Sequence, residues 1–166
     1  MVNLSYRLLA LIALVFTMGL ASIAFSQATK EGPVVYLAQV DGMIDLGLAP
    51  YIERVFTEAE REGAAAVVLQ INTFGGRVDA AVQIRDAILK SPVQSIAFID
   101  TRAISAGALI SLAANAIVMA PGGTIGAAMP VQSSGGETTA VGEKTVSYVR
   151  KEFSATAESR GRDTLI

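Results

Sequence analysis

From residue 34 to residue 119 the chain alternates short apolar runs with stretches of helical periodicity, and no other feature restricts its folding as strongly. The runs are Val34–Val40 (VVYLAQV), Ala65–Ile71 (AAVVLQI), Ser95–Ile99 (SIAFI) and Ala116–Met119 (AIVM). They are bounded by Gly, Pro and polar residues, as strands are. Between the first two lies Pro50–Glu62, with apolar residues at 52, 55, 56 and 59 and Gly63 beyond it. That spacing predicts a helix with Pro50 at its first position. Val78–Leu89 repeats the amphipathic pattern, Ser105–Ala114 reads as a short helix of small residues, and Lys144–Arg160 as a further helix. Strand–helix alternation of this kind specifies an α/β fold with a mainly parallel sheet and right-handed crossovers. Runs that are apolar without alternation point to strands covered on both faces. Asp41–Ala49 reads as a loop, Asn72–Arg77 (NTFGGR) as a turn, and the polar segment Gln132–Glu143 as a mobile surface loop.

The 166 residues suffice for one domain with a real core. Part of the high apolar content (52%) is local, in Met1–Ala28. There Arg7 precedes the almost wholly apolar Leu8–Phe25, and small residues follow. This is the pattern of a secretory signal peptide; the rival reading is an uncleaved anchor, since about eighteen apolar residues nearly span a bilayer. On either reading the rest of the chain is exported. Residues 29–33 form a short linker and residues 34–166 the folded domain. The chain ends soon after RGRD with no closing element, so the domain is expected to be C-terminally truncated. The formal charge of −2 and the lack of any basic run argue against nucleic-acid binding.

Chemistry is restricted further by two absences. The sequence holds no His and no Cys, which excludes Ser-His-Asp and Cys-His catalysis and most zinc sites. No carboxylates are spaced as in a calcium loop, and neither a metal nor a cofactor is expected. What remains is a constellation at the carboxyl ends of the strands, where open parallel sheets place their sites. Gly75-Gly76 follows the second strand and Ser105-Ala106-Gly107 the third. A glycine pair can aim backbone N–H groups at a ligand, and a helix start adds free N–H groups and a positive dipole end. Gly76 and Ala106 are thus candidate donors of an oxyanion hole, with Ser105 a candidate nucleophile. Taken singly, a serine before a helix is an ordinary N-cap and Gly-Gly an ordinary turn. A nucleophilic serine also needs a base, and without His the practical one is a lysine made neutral by burial. There are four: Lys30 in the linker, Lys90 at a helix end, Lys144 between the glycine-containing loop and the last helix, and Lys151 inside that helix.

Three blocks, INTFGGRVDAAVQIRDAI, ISAGALISLAANAIVMAPGGTIGAAMPV and EKTVSYVRKEFSATAESRGRD, in this order, resemble the N-terminal domain of the NfeD-like membrane serine proteases, relatives of signal peptide peptidase A and ClpP. The resemblance covers Val34–Asp163. It implies a ClpP- or crotonase-like fold of repeated β-α units and a Ser-Lys dyad that cleaves peptide bonds in or near membranes. Stomatin-like proteins are implied as partners and substrates, and a homo-oligomer is compatible with it. Carried over, Ser105 matches the nucleophile, Gly75, Gly76 and Ala106 the oxyanion-hole region, and Lys144 the dyad lysine, with Lys151 the second candidate. Phe74 departs from the family's usual proline before the glycines. The expectation is a membrane-associated, extracytoplasmic serine endopeptidase acting on hydrophobic segments of membrane proteins. Two alternatives stand beside it. One is a non-catalytic scaffold organising stomatin-like proteins. The other is a crotonase-like acyl-CoA enzyme, which export argues against.

Overall fold

A computed structural model describes residues 32–134 and 137–164. The chain divides into two units, Met1–Gly32 and Pro33–Ile166, and the second holds every element described below. The signal-peptide or anchor reading of Met1–Ala28 lies outside the described residues. Among those residues no helix is long and apolar enough to cross a membrane.

The element order is β1 (Val35–Ile44), α1 (Leu48–Arg61), β2 (Ala66–Gly76), α2 (Val78–Lys90), β3 (Ser95–Ile104), α3 (Ala106–Ala113), β4 (Ala116–Met119), β5 (Thr124–Gly126), β6 (Val131–Ser134), β7 (Glu137–Ala140) and α4 (Glu143–Ser159). β1, β2, β3 and β4 lie side by side in that order, all parallel. The short β5 pairs with the far end of β3, Arg102–Ile104 against Thr124–Gly126, where β4 has ended. This is the mainly parallel α/β architecture that the alternation specifies.

Register shows where the core sits. Ala38, Leu69 and Ala97 share one row, and Val40, Ile71 and Ile99 the next. All six are fully buried and join one core with Ile52 and Phe56 of α1, Ile84 and Ile88 of α2, Ile110 of α3 and Phe153 of α4. The other face of the sheet carries Leu37, Val68 and Ile96 in one row and Gln39, Gln70, Phe98 and Val118 in the next. None of these belongs to the core, and Leu37 is 63% exposed. Cover on both faces was therefore the wrong inference from the apolar runs. Among the described residues the helices pack on one face, and the apolar residues of the second face, Ala66 apart, stay half-buried or exposed.

The strands also run further at their carboxyl ends than their apolar runs do. β1 continues through Asp41–Ile44, β2 takes in the supposed turn as far as Gly76, and β3 reaches Ile104. Each polar end finds ladder partners on its neighbour, such as Ile44 beside Gly76 and Thr73 beside Ala103, and backbone pairing is indifferent to side-chain polarity. α1 starts at Leu48, so Pro50 is its third residue, still in the turn whose N–H groups have no helical partner. Asp45 serves that start, its Oδ1 accepting from the N–H groups of Gly47 and Leu48 at 2.9 and 3.0 Å. The segment read as a mobile loop contains the antiparallel hairpin β6–β7.

Candidate active site

Ser105 stands at the junction of β3 and α3. Its backbone has φ 55° and ψ −112°, a region that costs a non-glycine residue of order 1–3 kcal/mol. The turn is held from both sides. The Ser105 N–H donates to Gly126 O on β5 at 2.8 Å, and its carbonyl accepts from Ala108 N–H at 3.0 Å as α3 begins. The Ser105 side chain makes no capping hydrogen bond. The ordinary N-cap role therefore does not occupy it, and the hydroxyl of this partly exposed residue is available for other chemistry.

The residues around this turn must be small. A Cβ on Gly107 would lie 2.5 Å from Thr73 Cγ2, so α3 meets β2 only through glycine there. A Cβ on Gly75 would come within 2.7 Å of Ser105 Cβ, and Gly75 has φ +109°. A Cβ on Gly76 would strike the Ile44 carbonyl oxygen of β1 at 2.1 Å. The two glycines thus let the end of β2 lie flush between β1 and the serine turn.

Their N–H groups differ in use. The Gly75 N–H donates to Thr73 Oγ1 at 2.9 Å, and the Thr73 hydroxyl donates to Gly42 O. Gly75, a candidate for the oxyanion-hole region, therefore shapes the turn beside Ser105 through its backbone and offers no free N–H donor. Arg77 N–H donates to Ile44 O at 2.8 Å. Alternation along an extended backbone aims the preceding N–H, that of Gly76, away from β1. Gly76, Ser105 and Ala106 line one small pocket. The Ala106 N–H is the first of α3 and has no helical partner. The geometry thus brings Gly76, Ser105 and Ala106 together at a positive helix end.

The lysines are not brought there. Lys90, Lys144 and Lys151 are all exposed, and none lines the pocket of Ser105; Lys30 lies outside the described residues. α4 turns Val146, Val149, Arg150 and Phe153 toward the serine side. Lys144 and Lys151 each stand two residues from one of these valines, about 200° around the helix at 3.6 residues per turn. In this arrangement both candidates sit on the solvent face of α4, and neither is buried. Among the described residues no three His, Cys, Asp or Glu side chains gather as a metal site requires.

Two supporting features escaped the sequence reading. Thr73 is one. The other is the pair Arg160 and Arg162, past the end of α4. Arg160 Nε donates to Ala113 O at 2.6 Å, and Arg162 donates to Leu112 O at 2.7 Å and Ala114 O at 2.9 Å. They occupy the open carbonyls at the end of α3, the helix that Ser105 begins. Burial lowers the pKa of both, Arg162 repelling Arg160 as well, yet a guanidinium keeps its charge in proteins. Their only signal in the sequence is RGRD, one arginine at the end of a predicted helix and one just beyond it.

A larger apolar cleft of about 570 Å³ continues from the small pocket. The two share Ala128, Pro130, Val149 and Phe153.

Comparison with known proteins gives one concordant result. The family model described as NfeD1b, N-terminal domain, matches residues 34–166. The membrane protein NfeD1b of Bacillus subtilis (strain 168) is 37% identical over 136 residues, covering 82% of this chain and 30% of its own length. A membrane-bound protease of Pyrococcus horikoshii is 33% identical over 138 residues, covering 80% of this chain and 31% of its own. The chain thus spans less than a third of these relatives. Among solved structures, a serine-to-alanine mutant of a membrane-bound stomatin-specific protease superposes with a TM-score of 0.72 at 30% identity, over 80% of this chain and 66% of that one. A lysine-to-alanine mutant of the same protease, in complex with a substrate peptide, gives 0.73 at 30% identity, over 81% and 64%. ClpP1 from Listeria monocytogenes shares the fold, with a TM-score of 0.54 at 23% identity over 78% of this chain and 74% of that one.

Proposed function

The chain belongs to the NfeD1b N-terminal domain family, and from that premise we propose that it is a serine endopeptidase with Ser105 as nucleophile and Lys144 as base. The observation that carries the proposal is the strained serine, whose hydroxyl caps nothing and which shares a pocket with Gly76 and Ala106. In the proposed reaction Lys144 is first drawn in beside Ser105, where burial favours its neutral form, and Ser105 Oγ then attacks a peptide carbonyl carbon as its proton passes to Lys144 Nζ. The N–H groups of Gly76 and Ala106 hold the oxyanion. As it collapses, the C–N bond breaks and the lysine proton goes to the leaving amine. A water deprotonated by Lys144 then attacks the acyl-enzyme, and the proton returns to Ser105 as the acid departs. Each oxyanion donor contributes roughly 10²–10³ in rate.

The choice of Lys144 is supported by spacing. The serine and lysine replaced in the two solved protease mutants stand 41 positions apart. Ser105 and Lys144 are 39 apart, and Ser105 and Lys151 are 46 apart. Lys144 reaches the serine only if the first turn of α4 reorganises. That turn has Gly142 at its N-cap and no side-chain cap, so it lacks the few tenths of a kcal/mol by which a capping side chain improves on glycine. Catalytic contacts often tighten only when substrate binds. The proposal extends to hydrophobic segments of stomatin-like membrane proteins as substrates and to an exported, membrane-associated setting.

One observation favours the second reading, a non-catalytic scaffold for stomatin-like proteins: all three described lysines are exposed. Peptide cleavage separates the two. Apolar segments of stomatin-like proteins are incubated with the full chain and with Ser105→Ala, Lys144→Ala and Lys151→Ala. The protease reading expects cleavage lost with Ser105→Ala and Lys144→Ala and kept with Lys151→Ala. Parent protein that cleaves no better than Ser105→Ala, while still binding a stomatin-like protein, establishes the scaffold.

A further inference from the structure

The cleft beside Ser105 is apolar along most of its wall, with Ile125, Met129, Val146 and Phe153 among its lining. Its charged residues are Arg150, Arg162 and Asp163. Two guanidiniums against one carboxylate leave the cleft positive, although the chain as a whole carries −2. The two arginines are not equivalent. Arg162 spends its donors on the carbonyls that end α3. Arg150 is exposed and makes no ion pair among the described residues. It is one residue from Val149 and three from Phe153, both of which also line the pocket of Ser105. An uncommitted fork of five N–H donors thus stands at the side of an apolar cleft that opens onto the candidate nucleophile.

We propose that Arg150 is a specificity determinant, and that this cleft takes an apolar peptide segment carrying a carboxylate that the Arg150 guanidinium receives. The inference rests on the protease reading for the cleavage step, but not for binding itself. Apolar side chains fill the hydrophobic wall, and the carboxylate sets the register of the segment relative to Ser105. The cleft volume of about 570 Å³ falls within the ~300–1,000 Å³ of pockets that enclose small ligands. The carboxylate has two sources open to it, an acidic side chain or the free C-terminus of the segment.

The test uses the full chain with Ser105→Ala and fluorescein-labelled apolar decapeptides, read by anisotropy. The peptides carry Glu or Gln at successive positions, each with an amidated or a free C-terminus. The expected result is about tenfold tighter binding for one Glu position, or for the free acid, over its neutral counterpart. In Arg150→Gln on the same background that preference disappears, while affinity for the neutral peptide is kept. In Arg150→Glu a Lys-bearing peptide replaces the Glu peptide as the tighter ligand. Dependence on the side chain or on the terminus identifies the source. A preference for the carboxylate that is the same with Arg150 present and in Arg150→Gln, or no peptide binding at all, overturns the proposal. Cleavage by the chain with Ser105 intact is scored separately. Peptides bound with the carboxylate preference but never cut refute only the protease reading; peptides cut without the preference refute only the role of Arg150.

Discussion

Replacing Ser105 by glycine and by alanine makes the most informative stability comparison, because both substitutions remove the hydroxyl and only one removes Cβ. With φ 55° and ψ −112°, the strain of order 1–3 kcal/mol falls on any residue that has a Cβ. Ser105→Ala keeps it and Ser105→Gly releases it. Glycine gives back ~0.5–1 kcal/mol through its greater freedom in the unfolded chain. It also forfeits the packing of Cβ against Gly75, where the backbones come so close that a second Cβ would sit 2.7 Å away. The balance is a glycine variant more stable than the alanine variant by about 1 kcal/mol. With a urea m-value of ~1–3 kcal/mol per molar, the midpoint moves up by roughly 0.3–1 M. Urea unfolding followed by circular dichroism reads this directly, and under the protease proposal neither variant is expected to cleave peptide. A glycine variant whose midpoint equals or falls below that of the alanine variant would refute the reasoning, since the serine backbone would then store no strain.

Three further outcomes follow from the same geometry. Gly75→Ala meets both a left-handed φ and the Ser105 side chain; it is expected to cost about 3 kcal/mol in urea unfolding and to abolish cleavage by displacing the serine. Thr73→Val leaves the Gly75 N–H without its acceptor and Gly42 O without its donor; a loss of about 2 kcal/mol is expected, most of it regained in Thr73→Ser. The Glu62 carboxyl is held below its usual range, first by the Tyr36 hydroxyl and then by Arg61. A depressed carboxylate stabilises the fold above its unfolded pKa and loses that contribution as pH falls through the folded one. Tyr36→Phe is therefore expected to raise the Glu62 midpoint in an NMR titration and to flatten the acid side of the stability profile; an unmoved midpoint counts against the hydrogen bond.

The four apolar runs located the parallel strands because burial on one face already makes a strand apolar at every second residue. They misjudged the second face: Val35, Leu37, Ile96 and Val118 are as hydrophobic in sequence as Val40 and Ile71, and nothing local distinguishes a covered residue from an uncovered one. The carboxyl ends of β1 and β2 were read as a loop and a turn, and the end of β3 was left out of its strand, because their stability comes from partners distant in sequence, such as Ile44 with Gly76. The hairpin carried a local signal, Gly135-Gly136 between two short runs, which its serines and threonines obscured. Within the site, Gly75, Gly76 and Ser105 were legible because each marks a strand end. Thr73 was not, since a threonine inside a strand is ordinary until its hydroxyl is seen bridging Gly75 and Gly42.

An N-cap serine and a nucleophilic serine make opposite demands on one hydroxyl. The first accepts from the N–H groups of its own helix and adopts a relaxed extended backbone. The second must leave those N–H groups to a substrate oxygen and turn its own oxygen outward. Ser105 meets the second description at the cost of backbone strain, and strain persists only where its surroundings over-determine it. The surroundings do so at every side of the turn. Gly126 O holds the Ser105 N–H, Gly107 seats the helix on Thr73, Gly75 leaves space that no other residue could, and Arg160 and Arg162 bind the far end of α3. A turn needed only for packing could relax by taking glycine at position 105. That the chain holds serine there, with the helix N–H groups left open, supports the proposal that this turn presents an oxygen to a substrate.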